Sequence, residues 1–281
     1  MIYGSRELRR GDKGEDVVEL QIRLSGFGGG VPDGDFGPGT EKSVAQFRRD
    51  YMVLEEKNEI VVTRLTFEAI DKFADEFPIN FEALKCPCST DPQFKGWENT
   101  CDGWGKGQFK NVYREGKPKI EAYHKYEYPG IHRCILWTSR AVNFYFPEYK
   151  LTYNCGYRCD ERNKQKGRYS TNHCGKALDT DVPRTQSEDR NDDAKRCDEI
   201  RTKMVKKCGC QIGWTLLNKK SLEPSNIAPT WVHQDVRCFS PEYLTDNFFC
   251  KTLEELDNRL PITLGEDDDT KIISDEEKKT L

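Results

Sequence analysis

The sequence lacks any apolar run long enough to cross a bilayer. Its first residues, MIYGSRELRRG, also lack the sustained apolar segment of a secretory signal peptide. The chain contains 44 Lys and Arg residues and 48 Asp and Glu residues, so its formal net charge is only −4. These absences argue against membrane insertion and against a nucleic-acid binder that depends on bulk positive charge. We therefore expect a protein that is made in the cytoplasm, and we expect it to be a monomer.

Histidine is scarce, with 4 residues among 281, and cysteine is missing before position 86, although the chain contains 12. The even number of cysteines permits disulfides, whereas the lack of a signal peptide favours reduced thiols. Cys86, Cys88 and Cys101 form a local group that fits either a disulfide staple or part of a metal site. A closed zinc site needs a fourth thiolate, which Cys134 could provide.

The first 80 residues predict a small helical unit. Apolar residues recur at helical spacing in EDVVELQIRL, in EKSVAQFRRDYMV and in TRLTFEAIDKFADEF. The first two segments are separated by VPDGDFGPGT, whose glycines and prolines are typical of turns. Thr40, at the end of that turn, is the expected N-cap of the second helix.

The order of these segments resembles the three-helix peptidoglycan-binding domain found in many cell-wall hydrolases. The shared positions are Leu8, Gly11, Gly14, Val17, Leu20, Gln21, Leu24, Asp33, Gly34, Phe36, Gly37, Thr40, Val44 and Phe47. The resemblance implies that peptidoglycan is the partner. It also implies that a groove beside the DGDFG turn contacts glycan or stem peptide, with Asp33 and Phe36 as substrate-binding residues.

The rest of the chain predicts an α+β fold, in which residues 81–119 form a linker and a cysteine-bearing segment. Residues 120–260 are expected to form a domain with a small antiparallel sheet flanked by helices. Strands are predicted for KLTYNCGYR, KALDTDV and WVHQDVRCF, and helices for IHRCILWTSRAVNFYF and for residues 189–209. Residues 261–281 form an acidic tail.

Two short stretches carry candidate metal ligands. His173 lies in a turn, STNHCGK, and Asp179 follows it on a predicted strand. His233 lies on the strand WVHQDV, where alternation places it on the same face as Asp235. Catalytic zinc takes three ligands from such side chains and keeps one position for water. We predict His173, Asp179 and His233 as zinc ligands. The alternative is a structural role, because a single histidine on a strand more often serves as a hydrogen-bonding residue.

Two further carboxylates belong to these stretches. Asp181 competes with Asp179 for the ligand role, because it lies on the same strand and the same face. Asp235 is expected to accept a hydrogen bond from the distal nitrogen of an imidazole ligand and so to orient it.

The order NCGYRCDERN, STNHCGKALD, WVHQDV resembles the zinc D-Ala-D-Ala carboxypeptidases and L-alanyl-D-glutamate endopeptidases of bacterial walls. In that family an SGYR…N segment precedes an S-x-H-x-x-G-x-A-x-D motif, and a late strand supplies the last histidine. The resemblance implies that His173, Asp179 and His233 are the metal ligands. It implies that Arg158 stabilises the substrate carbonyl or carboxylate. Thr171 takes the place of the serine, as a substrate-binding residue.

The sequence departs from the family pattern at two points. The spacing from His173 to Gly175 is one residue shorter, so the turn must close more tightly. Thr230 stands where the family has its general base, and a hydroxyl cannot accept a proton from water at neutral pH. Glu223 is the first substitute for the base and Asp235 the second. The other interpretation of Glu223 is an exposed loop carboxylate.

The two resemblances together imply a zinc-dependent peptidoglycan hydrolase that cleaves an amide bond of the stem peptide. A wall hydrolase without a signal peptide resembles a phage endolysin, which acts on the wall after release through a membrane pore. One rival is a wall-binding protein in which zinc has only a structural role. Another is a cysteine hydrolase that pairs one of the twelve thiols with a histidine, although Cys174 faces away from the site if the neighbouring His173 binds metal. His132, at a predicted helix start, is a further candidate, although a histidine there is more often structural.

Overall fold

The computed structural model of the chain describes residues 3–54, 60–92, 101–107, 109–112, 123–168, 172–183 and 190–258. Thr171 and the acidic tail at 261–281 lie outside the described residues. Helices and strands are mixed along the chain, in agreement with the predicted α+β class. None of the helices within the described ranges is both long enough and apolar enough to span a membrane.

The N-terminal part contains the three predicted helices. They are α1 (Glu15–Arg23), α2 (Pro38–Phe47) and α3 (Arg64–Glu76), with the short strands β1 (Leu8–Arg9) and β2 (Val61–Val62) paired antiparallel. Each helix buries an apolar stripe. The N-cap of α2 is Gly37, followed by Pro38 in the first turn, where a missing N–H costs nothing. The prediction of Thr40 as N-cap was therefore wrong, and this residue lies inside the helix.

The DGDFG turn is held by a side-chain network centred on Gln21. Its Nε2 donates to Asp33 Oδ1 at 2.7 Å and to Thr40 Oγ1 at 2.9 Å, and its Oε1 accepts from the Gly34 N–H at 2.8 Å. Gly34 has φ +74°, a conformation that favours glycine. Phe36 is fully buried in the core, which argues against contact of its ring with substrate. Asp33 is exposed and remains accessible to a ligand.

The C-terminal part is built around one five-stranded sheet. Its strands are β6 (Thr152–Cys155), β7 (Ala177–Asp181), β8 (Cys210–Ile212), β9 (Lys220–Leu222) and β10 (Val232–Asp235), in the order β6-β7-β10-β9-β8. Neighbours pair antiparallel except for β8 and β9, which are parallel. The prediction of an antiparallel sheet is therefore corrected to a mixed sheet. The physical reason is that the chain crosses between β8 and β9 through a loop rather than a tight hairpin.

Two long helices, α5 (Arg133–Tyr145) and α7 (Arg190–Lys207), accompany this sheet and agree with the helices predicted from periodicity. The remaining elements are short. Three of them are helices: α4 (Phe81–Leu84), α6 (Asp160–Gln165) and α8 (Leu253–Asn258). The others form two antiparallel pairs, in which β3 (Phe109–Val112) pairs with β4 (Tyr123–Tyr126) and β5 (Ile131–His132) pairs with β11 (Phe249–Cys250).

The N-terminal helices and the C-terminal part share one buried core. The ring centroids of Phe27 and Phe144 are 6.1 Å apart, and those of Phe73 and Trp137 are 6.4 Å apart. At Gly26, just after α1, a Cβ would lie 2.2 Å from the Ala141 Cβ, so only glycine lets the backbone approach α5 so closely. The N-terminal unit is therefore packed against the sheet domain rather than joined to it by a linker alone.

Candidate metal centre

Asp179 lies between two imidazoles. It is a direct cross-strand partner of His233 in the β7–β10 pair, and its Oδ1 is 2.6 Å from His233 Nδ1. Its Oδ2 is 3.3 Å from His173 Nε2. All three side chains are buried, and the two imidazole centroids are 5.2 Å apart. His173 and His233 thus both contact Asp179, but the ligand atoms that all lie within 4.8 Å of one another here are those of Cys155, His173 and Asp179, without His233.

The far nitrogen of each imidazole has a partner of its own. His173 Nδ1 is 3.0 Å from the carbonyl oxygen of Gly156, and His233 Nε2 is 2.9 Å from Asp235 Oδ2. Burial alone would lower the pKa of His173 and His233, but Asp179 raises the pKa of both, together with Cys155 at His173 and Asp235 at His233. The nitrogens that face Asp179 therefore carry protons in this structure, and a bound metal ion would replace them. Orienting acceptors of this kind accompany histidines that bind metals. Asp235 has the position predicted for an orienting carboxylate.

This donor set fits zinc chemically. Two imidazole nitrogens and one carboxylate oxygen are the protein ligands of many catalytic zinc sites. Burial alone would raise the pKa of Asp179, but the adjacent His173 and His233 bring the pKa of this carboxyl well below its usual value. The carboxylate is therefore ionised and available as a ligand. Asp181, the alternative considered above, lies two residues farther along β7 and pairs in register with Thr152.

Cys155 is a neighbour of this group that the sequence reasoning missed. Its Sγ and ligand atoms of His173 and Asp179 all lie within 4.8 Å of one another. In the β6–β7 pair Cys155 is the cross-strand partner of Asp179. Burial would raise the pKa of the Cys155 thiol, yet His173 and Arg158 lower this pKa below its ordinary value. The signal available in the sequence was the position of this cysteine on a strand, in NCGYR, directly before the arginine motif.

Arg158 lies beside the same group. Its Nη1 is 3.9 Å from Cys155 Sγ, and its Nε donates to Asn163 Oδ1 at 2.7 Å. The backbone N–H of Arg158 donates to the carbonyl oxygen of His173 at 2.7 Å. These contacts hold a guanidinium next to the metal-ligand candidates, where it can interact with a negatively charged oxygen.

A second arginine, Arg237, connects the carboxylates on the far side of His233. Its Nη2 lies 2.6 Å from Asp235 Oδ2, 3.2 Å from His233 Nε2 and 3.8 Å from Glu223 Oε1. Its guanidinium also lies over the Trp214 ring at 4.5 Å. Glu223, the predicted base, directly follows β9 and contacts Arg237. Sequence reasoning did not find Arg237, although it follows Asp235 by two residues.

Cys174 does not face His173. Its Sγ donates to the carbonyl oxygen of Arg158 at 3.2 Å and accepts from Asn163 Nδ2 at 3.6 Å. The thiol is fully buried, and burial raises its pKa above the ordinary value. This arrangement argues against Cys174 as a nucleophile and identifies Cys155 as the thiol that lies beside the imidazole.

His132 has a structural position away from these residues. It is the N-cap of α5, where its Nδ1 accepts from the Cys134 N–H at 3.2 Å, and its Nε2 donates to the carbonyl oxygen of Tyr243 at 2.8 Å. Its ring stacks on Phe248 with centroids 5.7 Å apart. Burial lowers the pKa of His132 to about 3, so the imidazole is neutral at physiological pH.

We expect His132→Asn to make folding stability less sensitive to acid. Between about pH 6.5 and pH 3 the unfolded chain binds a proton at His132 and the folded chain does not, so acid lowers the free energy of unfolding. Asparagine can accept the Cys134 N–H bond but does not titrate. Urea unfolding at several pH values should show a slope smaller by about 1.4 kcal/mol per pH unit than in the wild type. Parallel curves for the two proteins would contradict this assignment.

A second group of potential metal ligands lies elsewhere in the fold. The sulfurs of Cys86, Cys88, Cys101 and Cys159 all lie within 4.8 Å of one another, in a buried position that could hold a metal ion. The fourth thiol is Cys159, so the sequence-based suggestion of Cys134 was wrong. Cys134 lies inside α5, fully buried in the shared core.

Comparison with known proteins adds one match. Residues 13–52 match the family model of the peptidoglycan binding domain. The matched stretch contains α1, the DGDFG turn and α2. No curated protein matches the chain. The family match supports a peptidoglycan-binding domain at this position and hence an association with the cell wall.

Proposed function

We propose that the protein is a zinc-dependent peptidoglycan hydrolase, similar to an endolysin, that cleaves an amide bond in the stem peptide. The observation that carries the proposal is the position of Asp179 between the inward-facing nitrogens of His173 and His233. The match to a peptidoglycan-binding domain supports peptidoglycan as the substrate class. Such a protein would act on the wall after its release from the cytoplasm.

A zinc ion held by His173, Asp179 and His233 would polarise the scissile carbonyl and activate a water molecule for attack. Arg158 supplies positive charge where negative charge develops on the carbonyl oxygen. A carboxylate must accept the proton of the attacking water and pass it to the leaving amine. Asp235 holds His233 in the required orientation through its hydrogen bond to Nε2.

The N-terminal unit would keep the enzyme on its polymeric substrate. Binding to the wall raises the local concentration of scissile bonds without changing the chemistry at the metal centre. Asp33, exposed at the DGDFG turn, is our candidate contact with the glycan or the stem peptide.

The proposal is tested by the turbidity of purified bacterial cell walls incubated with the protein. We expect clearing that a zinc chelator stops and that added zinc restores. Mass spectrometry of the released fragments would identify the bond, because carboxypeptidase and endopeptidase cleavage leave different new termini. Clearing that survives the chelator but is lost after thiol alkylation would contradict the zinc mechanism and would point to Cys155 with His173.

We expect Glu223→Gln to abolish clearing while zinc remains bound. The amide is isosteric with the carboxylate but cannot accept a proton, so a base would be lost without loss of a metal ligand. The measurement is clearing rate together with metal content. Glu242→Gln, at an exposed carboxylate in the Pro241–Tyr243 turn, is the matched control and should behave as the wild type. Unchanged clearing by Glu223→Gln would show that Glu223 serves only as an ion-pair partner of Arg237.

Cys155 favours a second candidate function, a wall-binding protein with a structural zinc ion. A thiolate so close to His173 and Asp179 could fill the fourth position and give a closed tetrahedral site without a place for water. Thr230 at the usual position of the base agrees with this alternative. Stoichiometric zinc bound at this centre, without clearing at any zinc concentration, would favour it over the hydrolase.

A further inference from the structure

The four sulfurs of Cys86, Cys88, Cys101 and Cys159 form one buried group in which every pair lies within 4.8 Å. The Sγ separations are 3.6 Å for Cys86 and Cys159, 3.5 Å for Cys88 and Cys101, and 3.8 Å for Cys88 and Cys159. A regular tetrahedron with zinc–sulfur bonds of about 2.3 Å has sulfur–sulfur edges of about 3.8 Å. All four thiols are free, without disulfide bonds. The spacing is thus close to that of a closed tetrathiolate site.

The backbone around the cluster also fits thiolate ligands. Each sulfur accepts a hydrogen bond from a backbone N–H, and such bonds stabilise negative charge on sulfur. The four bonds run from Cys101 to the sulfur of Cys88 at 3.2 Å, from Gly103 to that of Cys101 at 3.4 Å, from Cys159 to that of Cys86 at 3.5 Å, and from Arg162 to that of Cys159 at 3.4 Å. Four thiols packed only as apolar side chains would not require these donors.

We propose that Cys86, Cys88, Cys101 and Cys159 bind a structural zinc ion, separate from the candidate catalytic centre. Four sulfur ligands leave no coordination position for water, which is the arrangement of structural rather than catalytic zinc. The side chains are at most 5% exposed, so the ion is enclosed by protein. The proposal does not depend on the hydrolase function, because its ligands are a different set of residues.

A zinc ion at this site would connect parts of the chain that lie far apart in sequence. Cys86 and Cys88 follow the four-residue helix α4, whereas Cys159 is the N-cap of α6. Backbone hydrogen bonds between Cys86 and Gly103, at 2.8 Å, and between Tyr157 and Leu84, at 2.7 Å, close the same region. A metal ion would add folding free energy to the packing of Trp104 against Phe81 and Tyr157, whose ring centroids lie 6.2 and 5.7 Å from that of Trp104.

The site also fixes the segment that carries Arg158, the residue directly before Cys159. Arg158 contacts Cys155 at the candidate catalytic centre, so the structural zinc would position this guanidinium from outside the centre.

The test uses the full-length wild-type protein and a zinc-sensitive dye. Treatment with an organomercurial that caps thiols should release one equivalent of zinc that a mild chelator leaves in place. After replacement of zinc by cobalt, the absorption spectrum should show the sulfur-to-cobalt charge-transfer bands of a tetrathiolate site. Both measurements avoid mutation, so they decide the question even where a cysteine variant fails to fold.

Variants then locate the ion. Cys88→Ala should reduce the zinc content by one equivalent per chain, whereas Cys197→Ala, which removes a buried thiol from α7, should not change it. Asp179→Asn should keep the thiol-bound equivalent, which separates this site from the candidate catalytic centre. Iron in place of zinc would overturn the metal assignment. Four thiols missing from a titration of the denatured, unreduced protein, with no metal released, would overturn the site in favour of two disulfides.

Discussion

Replacing Asp179 by asparagine is expected to remove one equivalent of zinc and to abolish the clearing of cell walls. Asparagine has the same size and can still hydrogen-bond one imidazole, so the β7–β10 pairing should persist. Its neutral amide is a poor zinc ligand, and the two imidazoles lose the carboxylate that lies 2.6 Å from His233 Nδ1 and 3.3 Å from His173 Nε2. The measurements are metal content, clearing rate and circular dichroism of the same preparation.

The loss in zinc affinity should be larger than the cost of removing a hydrogen-bond partner of a ligand, which is about 10–100-fold. The matched control is Asp181→Asn, which makes the same chemical change two residues along the same strand. Asp181 is the alternative ligand that the sequence offered. This variant should keep its zinc and clear cell walls at the wild-type rate. If Asp179→Asn kept its zinc and cleared cell walls while Asp181→Asn lost both properties, the metal ligand would be Asp181 and not Asp179.

The convergence of His173, Asp179 and His233 could be predicted because it depends on short-range rules. Alternation along WVHQDV and the strand after His173 place the side chains on one face, and a family motif supplies the pairing of the two strands. Cys155, the partner of Asp179 on the neighbouring strand β6, could not be predicted in this way. Cys155 reaches its register through an irregularity between Tyr153 and Cys155 in the β6–β7 pair, and a bulge of this kind moves a side chain to another position.

The tetrathiolate cluster was only partly predictable for a related reason. Cys86, Cys88 and Cys101 are close in sequence, so their grouping was apparent, whereas the fourth thiol comes from a segment 58 positions beyond Cys101. Twelve cysteines offer many candidates, and only the tertiary fold selects Cys159 rather than Cys134. Long-range pairing of this type is not encoded in local periodicity.

Sequence periodicity also presented the N-terminal unit as a separate module, because its apolar stripes are complete within the first 80 residues. Glu and Arg side chains are usually exposed in folded proteins. In the structure, however, Glu19 and Arg23 are buried, and Glu19 accepts two hydrogen bonds from Arg133 of α5, at 2.6 and 2.7 Å. The two parts of the chain are therefore joined by a buried ion pair as well as by aromatic packing.

We accordingly expect deletion of residues 1–80 to unfold the rest of the chain rather than only to weaken wall binding. Without the N-terminal helices the guanidinium of Arg133, which is 0% exposed, would lose its carboxylate partner. The Trp137 ring, also fully buried, would lose its contact with Phe73. The same dependence can be tested at a single residue, without a deletion.

Glu19→Gln is expected to lower the free energy of unfolding by about 3–5 kcal/mol, because it leaves a buried charge without its counterion. Burial alone would raise the pKa of Glu19, but Arg133 and Arg23 bring it below the usual value, so the side chain is ionised in the folded protein. Arg23 keeps a second partner, Asp71, at 2.8 Å. Arg133 keeps the carbonyl oxygen of Leu256 as an acceptor, at 2.8 Å, but no carboxylate among the described residues pairs with it besides Glu19, so Arg133 suffers the greater loss. The measurement is equilibrium unfolding in urea.

The matched control is Glu68→Gln, which breaks the ion pair between Glu68 and Arg64 on the exposed face of α3, with N–O distance 2.7 Å. Exposed pairs four residues apart on a helix contribute about 0.3–0.5 kcal/mol, so this variant should be almost as stable as the wild type. Equal stabilities for Glu19→Gln and Glu68→Gln would show that water reaches Arg133 and that the two parts of the chain are not joined through this pair. A large difference, with loss of both parts in one cooperative transition, is the result that the shared core requires.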